Sequence, residues 1–394
     1  MKKILMIVPS PFFSDRGCHV RIYEENKALT RKGFDVLVAT YHLGRSPGGI
    51  KIIRTPKIPW YKKEEPGPSL HKLYLDLFLL IISAVQMFKY KPDIIHAHLH
   101  EGTLIGKILK FIFRKPLVFD FQGSLTGELE DHNVIKNGKI LSRFIYSIEK
   151  RINSFPDVIL TSSINSYRLL IEKFMVDEKK IVHVPDGINV LPMVETNKIN
   201  EIRKQLKIDE TKKVIVYLGT LNRLEGTDIL LEVAGRILLS RKDLLFMIMG
   251  YPNVELYKNK AKQLGILENV IFTGKINYDE ALNYLSLGTL AISPKISETE
   301  GNGKLLLYML AGLPVIVFDS MANREILDAY GIYCQFGSVD DMVEKLDKYI
   351  NTGQNTKFEA GTKLKERVKT KFNWDDIVRK IIYSYELAAS KPKS

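Results

Sequence analysis

Apolar residues recur along this chain in short runs bounded by turn residues, with helical periodicity between the runs. "KILMIVP", "FDVLVATY", "IKIIRTP", "DIIHAH", "PLVFDF", "DVILTSS" and "KIVHVP" read as buried strands. Helical patterns lie between several of them, over 20–31, 71–89, 103–113 and 139–153. A second series, "KKVIVYLG", "LLFMIMG", "NVIFTG", "LAISP" and "LPVIVFD", alternates with helices such as Thr227 to Leu239 and Asp279 to Leu285. Each series predicts a mostly parallel sheet with helices on both faces. The polar, turn-rich "VPDGINVLPMVETNKIN" between them reads as a linker. "FNWDDIVRKIIYSYELA" reads as a terminal helix that crosses back to brace the first domain. The expected domains are residues 1–187, with a helix over 375–394 packing back, and residues 188–374.

Two apolar segments could be mistaken for membrane signals. "LYLDLFLLIISAVQMF" (Leu73 to Phe88) is shorter than a span and carries Asp76, so it reads as a buried helix. "MKKILMIVPSP" has a basic start, but its apolar run is short and lacks a small-residue cleavage site. It reads as a first strand and not as a signal peptide.

Composition narrows the class. At 394 residues the chain exceeds one ordinary core, and 45% hydrophobic with 26% charged residues are globular values. Cys18 and Cys334 are its two cysteines, far apart and without a CxxC pattern. Neither a zinc site nor a disulfide framework is indicated, which fits a reducing, cytoplasmic compartment. The formal charge of +13 favours anionic partners. Its basic residues are spread over both halves without a nucleic-acid-binding pattern, so phosphorylated small molecules or an acidic membrane surface are expected and nucleic acid is not. After the first strand, "PSPFFSDRGCHV" has no GxGxxG, which disfavours a nicotinamide oxidoreductase.

Two motifs carry candidate chemistry. In "ISETEGNGKLLLYMLAGLPVIVFD" a glycine-punctuated turn runs into a helix, where unpaired N–H groups and small residues suit a phosphate. The alternative is a plain loop-to-helix joint. "HAHLHE" sets His96, His98 and His100 at alternating positions, which share one side if the strand continues. A metal cluster there lacks an evident fourth ligand.

The succession "PFFSDRGCHVRIYEENKALTRKGFDV", "KPDIIHAHLHEGTLIGKIL", "KPLVFDFQGSL", "VPDGIN", "VYLGTLNRLEGTDILLEVA", "MIMGYPNVE", "NVIFTGKI", "EGNGKLLLYMLAGLPVI" and "FNWDDIV" resembles the retaining GT-B glycosyltransferases of family 4. The resemblance spans nearly the whole chain. It implies an α/β fold of two Rossmann-like domains and transfer of a sugar from a nucleotide-diphosphate donor with retained anomeric configuration. The donor would sit on the C-terminal domain and the acceptor on the N-terminal one. No metal or other cofactor is expected, in keeping with the lack of a DxD pair in the sequence.

By this resemblance "ETEGNGK" holds the donor sugar and distal phosphate: Glu300 through sugar hydroxyls, Gly301, Asn302 and Gly303 through backbone N–H groups, Lys304 through its charge. The second acid of the family's Glu-x7-Glu falls at Tyr308, or at Leu307 when the alignment runs through "GLPV" and puts Thr299 first. Leu307 and Tyr308, with Gly250 and Lys275, are the expected nucleoside-side positions. The family's diphosphate-binding Arg and Lys are replaced by Thr220 and Glu225, leaving Arg223 to serve. In the first domain, Gly17 approaches the donor phosphates, with Arg16, His19 and Arg21 beside phosphate or acceptor. His98 is the histidine expected to face the cleft. Gln122 stands where relatives carry a histidine; it can hydrogen-bond a sugar but cannot act as a base. Asp120 and Ser124 are further cleft candidates, Asp120 equally a structural cap. His98, Gln122 and Glu300 form the candidate catalytic set. A front-face route, in which the leaving phosphate takes the acceptor's proton, needs no protein nucleophile.

"TLIGKILKFIFRKP" and "PKIPWYKKEEPGP" mix apolar residues with lysines. They suit either contact with an anionic membrane or an ordinary packing helix with solvated lysines; membrane contact would favour a lipid-linked or cell-envelope glycan acceptor. Two rival functions share the pattern: a sugar-nucleotide 2-epimerase of the same fold, and a non-catalytic subunit that binds nucleotide sugars or glycans.

Overall fold

A computed structural model describes residues 2–14, 17–62, 71–127, 139–189, 196–297, 301–352 and 354–391. The chain divides into two units. The first comprises Met1–Gly187, Thr299–Gly301 and Trp374–Ser394; the second comprises Ile188–Glu298 and Asn302–Asn373.

In the first unit the described elements run β1 (Lys3–Val8), α1 (Gly17–Arg31), β2 (Asp35–Thr40), β3 (Lys51–Arg54), α2 (Lys72–Lys89), β4 (Ile94–His98) and α3 (Leu99–Phe113). They continue with β5 (Leu117–Phe121), α4 (Lys139–Ser154), β6 (Val158–Thr161), α5 (Ile164–Glu172) and β7 (Ile181–His183). All seven strands are parallel, in the order β3-β2-β1-β4-β5-β6-β7. β4, β5 and β6 are buried along their whole length, the pattern of strands covered on both faces. The last helix, α14 (Trp374–Ser390), belongs to this unit and lies against α1, β5, β6 and β7. Trp374, Ile381 and Tyr385 are its buried contacts.

The second unit holds α6 (Thr196–Gln205), β8 (Lys213–Leu218), α7 (Thr227–Ile237), β9 (Leu244–Met249), α8 (Val254–Gln263), β10 (Val270–Gly274) and α9 (Ala281–Leu285). It closes with β11 (Leu290–Ser293), α10 (Lys304–Leu310), β12 (Val315–Phe318), α11 (Met321–Leu327), β13 (Ile332–Cys334), α12 (Val339–Asn351) and α13 (Gln354–Lys371). Its six parallel strands follow the order β10-β9-β8-β11-β12-β13. In both sheets the strand order reverses once, between β1 and β4 and between β8 and β11. Ligands of open α/β sheets bind beyond the carboxyl ends of strands at such reversals.

The structure corrects several expectations. The strand carrying "HAHLHE" ends at His98, because Leu99 turns the backbone left-handed (φ 61°) and starts α3. His100 therefore rides a helix, and the three histidines do not share one strand face. The helix over Leu73 to Phe88 is only half buried: Leu75, Leu79 and Met87 enter the core, while Leu73 and Phe88 stand 75% and 69% exposed. Part of the expected linker, from Thr196 onward, is already helix α6. Beyond the expected elements lie the three-residue strand β13 and helices α12 and α13; α12 buries Met342, Leu346 and Ile350 at helical spacing.

One close approach fixes the turn after β9. A Cβ built on Gly250 would lie 1.8 Å from the Gly219 carbonyl oxygen, so the ends of β8 and β9 meet backbone to backbone. Gly250→Ala is expected to cost at least about 2 kcal/mol by overpacking against an immovable backbone, read as a lowered urea midpoint; an unchanged midpoint would contradict this packing.

Candidate functional site

At the reversal in the first sheet, Asp120, near the end of β5, is fully buried and collects three partners. Arg21 of α1 grips it with Nε at 3.0 Å from Oδ2 and Nη2 at 3.0 Å from Oδ1, while Nη1 reaches Asp186 at 2.8 Å. His98 Nδ1 lies 3.2 Å from Asp120 Oδ2, and the Gln122 amide donates to the same oxygen at 2.8 Å. Burial alone would raise the Asp120 carboxyl, but the Arg21 charge and the His98 and Arg21 hydrogen bonds hold it well below the usual carboxylate range. Facing an ionised carboxylate, His98 donates from Nδ1, which fixes its tautomer. The loop after β5 is fastened by buried Glu149, whose carboxylate takes hydrogen bonds from Ser124 Oγ, the Leu125 and Thr126 N–H groups and Thr126 Oγ1. His100 sits 3.3 Å from the same carboxylate.

This geometry reassigns several expected ligand contacts. His19 is buried, taking a hydrogen bond at Nδ1 from the Ser14 N–H and meeting Ser10 Oγ at Nε2. It orders the turn after β1 and offers no surface to an acceptor. Arg21 is spent on Asp120 and Asp186, and His98 is fully buried, so both position Asp120. Ser124 is a loop fastener. Gln122 keeps partial exposure, and Gly17 opens α1 with nothing within 4 Å of a Cβ placed on it. Arg16 and Glu300 lie outside the described residues.

Beside this cluster, Glu25 of α1 lies 3.3 Å from His96 Nδ1, and the His96 ring stacks on His98 at 4.5 Å. The Tyr385 hydroxyl meets His96 Nδ1 at 2.8 Å. Among the described residues these three, Glu25, His96 and His98, bring their ligand atoms within 4.8 Å of one another. Burial, then the Asp120 charge, pushes the Glu25 carboxyl well above its ordinary value, and burial pushes His96 well below. Both shifts favour the uncharged forms inside the core, and Glu25 takes the place beside His96 and His98 that sequence spacing had given to His100.

At the reversal in the second sheet a different carboxylate is enclosed. Glu225, in the turn between β8 and α7, accepts from Lys295, just past β11, at 2.8 Å, and is also ion-paired with Lys304 at the start of α10. The Lys295, Lys304 and Glu225 side chains are 7%, 11% and 14% exposed. Burial would raise the glutamate, yet the charges of Lys295 and Lys304 hold it down to about 2. Lys304 Nζ lies 4.7 Å from the centre of the Tyr217 ring, and a Cβ on Gly219 would come within 2.8 Å of that nitrogen. Gly226 (φ 78°) brings the turn against the Pro294 carbonyl, where a Cβ would stand 1.8 Å from the oxygen. Glu225 is therefore the counter-charge that gathers two lysines at this point. Lys295 was missed from sequence, since only the β8–β11 pairing sets "SPKIS" beside "RLEGTD".

The remaining expected residues divide. Gly303 precedes α10, and the Asn302 side chain is buried, bonded to Asn323 Oδ1 at 2.8 Å and Ser293 Oγ at 3.2 Å. Asn302 thus anchors the glycine turn by its side chain. Gly301 is partly exposed beside it. The Tyr308 ring is fully buried, and its hydroxyl accepts from the Leu218 N–H at 2.7 Å, tying α10 to β8; Leu307 is also buried. Neither presents a free side chain to a nucleoside. The Thr220 carbonyl accepts from the Tyr217 hydroxyl, and Arg223 and Lys275 are exposed, Lys275 over the Tyr251 ring.

Comparison with known proteins agrees with this architecture. Residues 198–383 match the model for glycosyl transferases group 1, and residues 16–190 match that for glycosyltransferase family 4. The chain is 24% identical over 308 residues to the uncharacterized glycosyltransferase MJ1607 of Methanocaldococcus jannaschii, covering 76% of each. It is 20% identical to the phosphatidylinositol N-acetylglucosaminyltransferase GPI3 subunit of Saccharomyces cerevisiae, covering 94% of this chain and 79% of that one. The structure of Anabaena HepE in complex with UDP and glucose superposes with a TM-score of 0.78 at 16% identity, over 98% of this chain and all of that one. The two family matches together span most of the chain: it belongs to the group 1 glycosyltransferases of GT-B fold.

The lysine–glutamate–lysine cluster makes a stability prediction. Glu225 has a depressed folded-state pKa, so its contribution is complete above the unfolded value near 4.3 and is lost as pH falls toward about 2. Glu225→Gln removes the counter-charge that the mostly buried Lys295 and Lys304 ammonium groups share. It should cost about 3 kcal/mol at pH 7 and flatten the acid side of the stability profile over that window. Chemical denaturation at pH 7 and pH 3 checks this; equal loss at both values would contradict it.

Proposed function

We propose that this chain transfers a sugar from a nucleotide-diphosphate donor to a lipid-linked or glycan acceptor, retaining the anomeric configuration and using no metal ion. The observation that carries the reading is the Lys295–Glu225–Lys304 cluster at the strand reversal of the second unit. An ammonium has three N–H donors, so Lys304 can keep one on Glu225 and turn others to phosphate oxygens, with Lys295 fixing the same carboxylate from the opposite segment. The two lysines bring positive charge to the place where the family's diphosphate-binding pair has been replaced. Helix α10 has only seven residues, which leaves the two lysines as the main electrostatic support for a departing diphosphate. The second unit is thereby the donor side and the first unit the acceptor side. HepE, of the same fold, is known in complex with UDP and glucose.

The reaction follows from what these groups can do. The acceptor hydroxyl oxygen bonds to the anomeric carbon on the face from which the diphosphate departs, and its proton passes to a leaving phosphate oxygen. No protein base is required, which agrees with a strand-end carboxylate, Asp120, that is locked in an ion pair. Gln122, anchored through its amide on Asp120, has a carbonyl oxygen left to accept from a sugar hydroxyl. Glu225 is likewise bound to its cations. Two carboxylates so engaged are poor catalysts for a 2-epimerase, which favours transfer over that alternative.

The lipid-linked acceptor draws support from the yeast relative, whose name specifies phosphatidylinositol. No helix among the described residues is long and apolar enough to cross a membrane. We place the protein in the cytoplasm, where nucleotide sugars are made, serving cell-envelope or surface polysaccharide synthesis from the inner membrane face.

Lys295→Ala and Lys304→Ala should each lower kcat about 100-fold, equivalent to about 2.7 kcal/mol of lost leaving-group stabilisation. NMR of the product should show the donor's anomeric configuration, and EDTA should leave the rate unchanged. Inversion of configuration, loss of turnover with the chelator, or near-normal rates in both variants would each refute the reading; donor binding without turnover would favour a non-catalytic subunit.

A further inference from the structure

About half of the exposed large hydrophobic side chains described for this chain sit on three neighbouring helices of the first unit. α3 packs between α2 and α4 on one side of the sheet, and Phe88 of α2 meets Phe113 of α3 edge-on at 4.9 Å. On α2 the outward row is Leu73, Leu77, Ile81, Val85 and Phe88, spaced four, four, four and three residues apart, one line along the helix. The row opposite, with Leu75, Leu79 and Met87, is core. On α3 the outward residues are Leu104, Ile108, Phe111 and Ile112, with Phe111 76% exposed. On α4 they are Leu141, Phe144 and Ile148.

Such a layer is apolar on both sides. Inward burial explains one face, and nothing in ordinary solvation explains the other; a contiguous exposed patch of this extent marks an interaction surface. The charges select the partner. Asp76, Glu101 and Glu149 are the acids of these three helices, and none is exposed. Around the apolar rows stand exposed Lys89, Arg114, Arg143, Lys150 and Arg151.

We propose that the outer face of α2, α3 and α4 docks on an anionic lipid bilayer, lying in the interfacial plane. The apolar rows enter the headgroup–acyl boundary while the basic rim meets lipid phosphates, its aliphatic stems lying along the apolar surface. A second copy of this chain fits poorly, because pairing the face with itself would oppose two basic rims. The face belongs to the first unit and the lysine cluster to the second, and they share no residue, so the proposal can fail while the transfer reading holds, and the reverse.

The test is co-sedimentation of the full chain with phosphatidylcholine vesicles, with and without phosphatidylglycerol, at low and physiological salt. Binding should require the anionic lipid and weaken with salt. Phe111→Glu combined with Phe144→Glu should reduce the vesicle-bound fraction at least about tenfold. Arg143→Gln and Lys150→Gln should each weaken binding roughly fivefold. All four residues are exposed, so the thermal midpoint of each variant should match wild type. Leu239→Glu, an exposed apolar residue of the second unit, should bind as wild type does. The proposal is overturned by absence of binding at low salt, by equal binding of the Phe111/Phe144 variant, or by a solution dimer that the same substitutions dissociate.

Discussion

A buried carboxylate stays ionised only when cations and N–H donors close on it, and that requirement organises the strand ends of both units. In the first unit Asp120 draws Arg21 from α1, His98 from β4 and Gln122 from the following loop. In the second, Glu225 draws Lys295 from beyond β11 and Lys304 from the start of α10. Each anion joins segments distant in sequence at the place where the strand order reverses. The polar groups are thus pre-set by the fold before any substrate arrives. Catalysis by electrostatic stabilisation needs this, because dipoles and charges that must reorganise during reaction lose most of their advantage.

The alternation of buried strands and helical periods made the two parallel sheets legible from sequence, since a crossover fold leaves few other solutions for that order of elements. Motif order made the family legible. The site was harder to read because its decisive contacts are topological. Glu225 looked like the loss of a cation, whereas the fold supplies cations to it from two other segments. Tyr308, read as a substitute beside the nucleoside, is a tether between α10 and β8. The shared side of His96, His98 and His100 depended on the strand continuing past "DIIHAH", and a period of two cannot reveal the left-handed turn at Leu99 that ends it. Glu25 escaped notice altogether: a glutamate one position after another glutamate on an amphipathic helix gives no sign that it is fully buried beside His96.

The same limit of periodicity applies to α2. A helix apolar on every side is consistent with burial within protein or with burial on one side in protein and on the other in lipid, and hydropathy does not separate the two. Packing does, by showing which row meets the sheet. α3 then acquires a double role. Its amino end follows directly from His98, inside the Asp120 cluster, while its outward row belongs to the apolar face. An acceptor with a lipid anchor would be met by the same unit that holds Gln122.

The central claim is that two lysines held on one glutamate bind a diphosphate without a divalent ion. Calorimetric titration of the full chain with UDP, ADP and GDP, each against its nucleoside and monophosphate and with magnesium present or chelated, tests it most directly. The account predicts that one diphosphate binds at least about tenfold more tightly than its monophosphate, unaffected by chelation, and that Lys295→Ala and Lys304→Ala each abolish that difference. A diphosphate bound no better than its nucleoside, or bound only with magnesium, would contradict it.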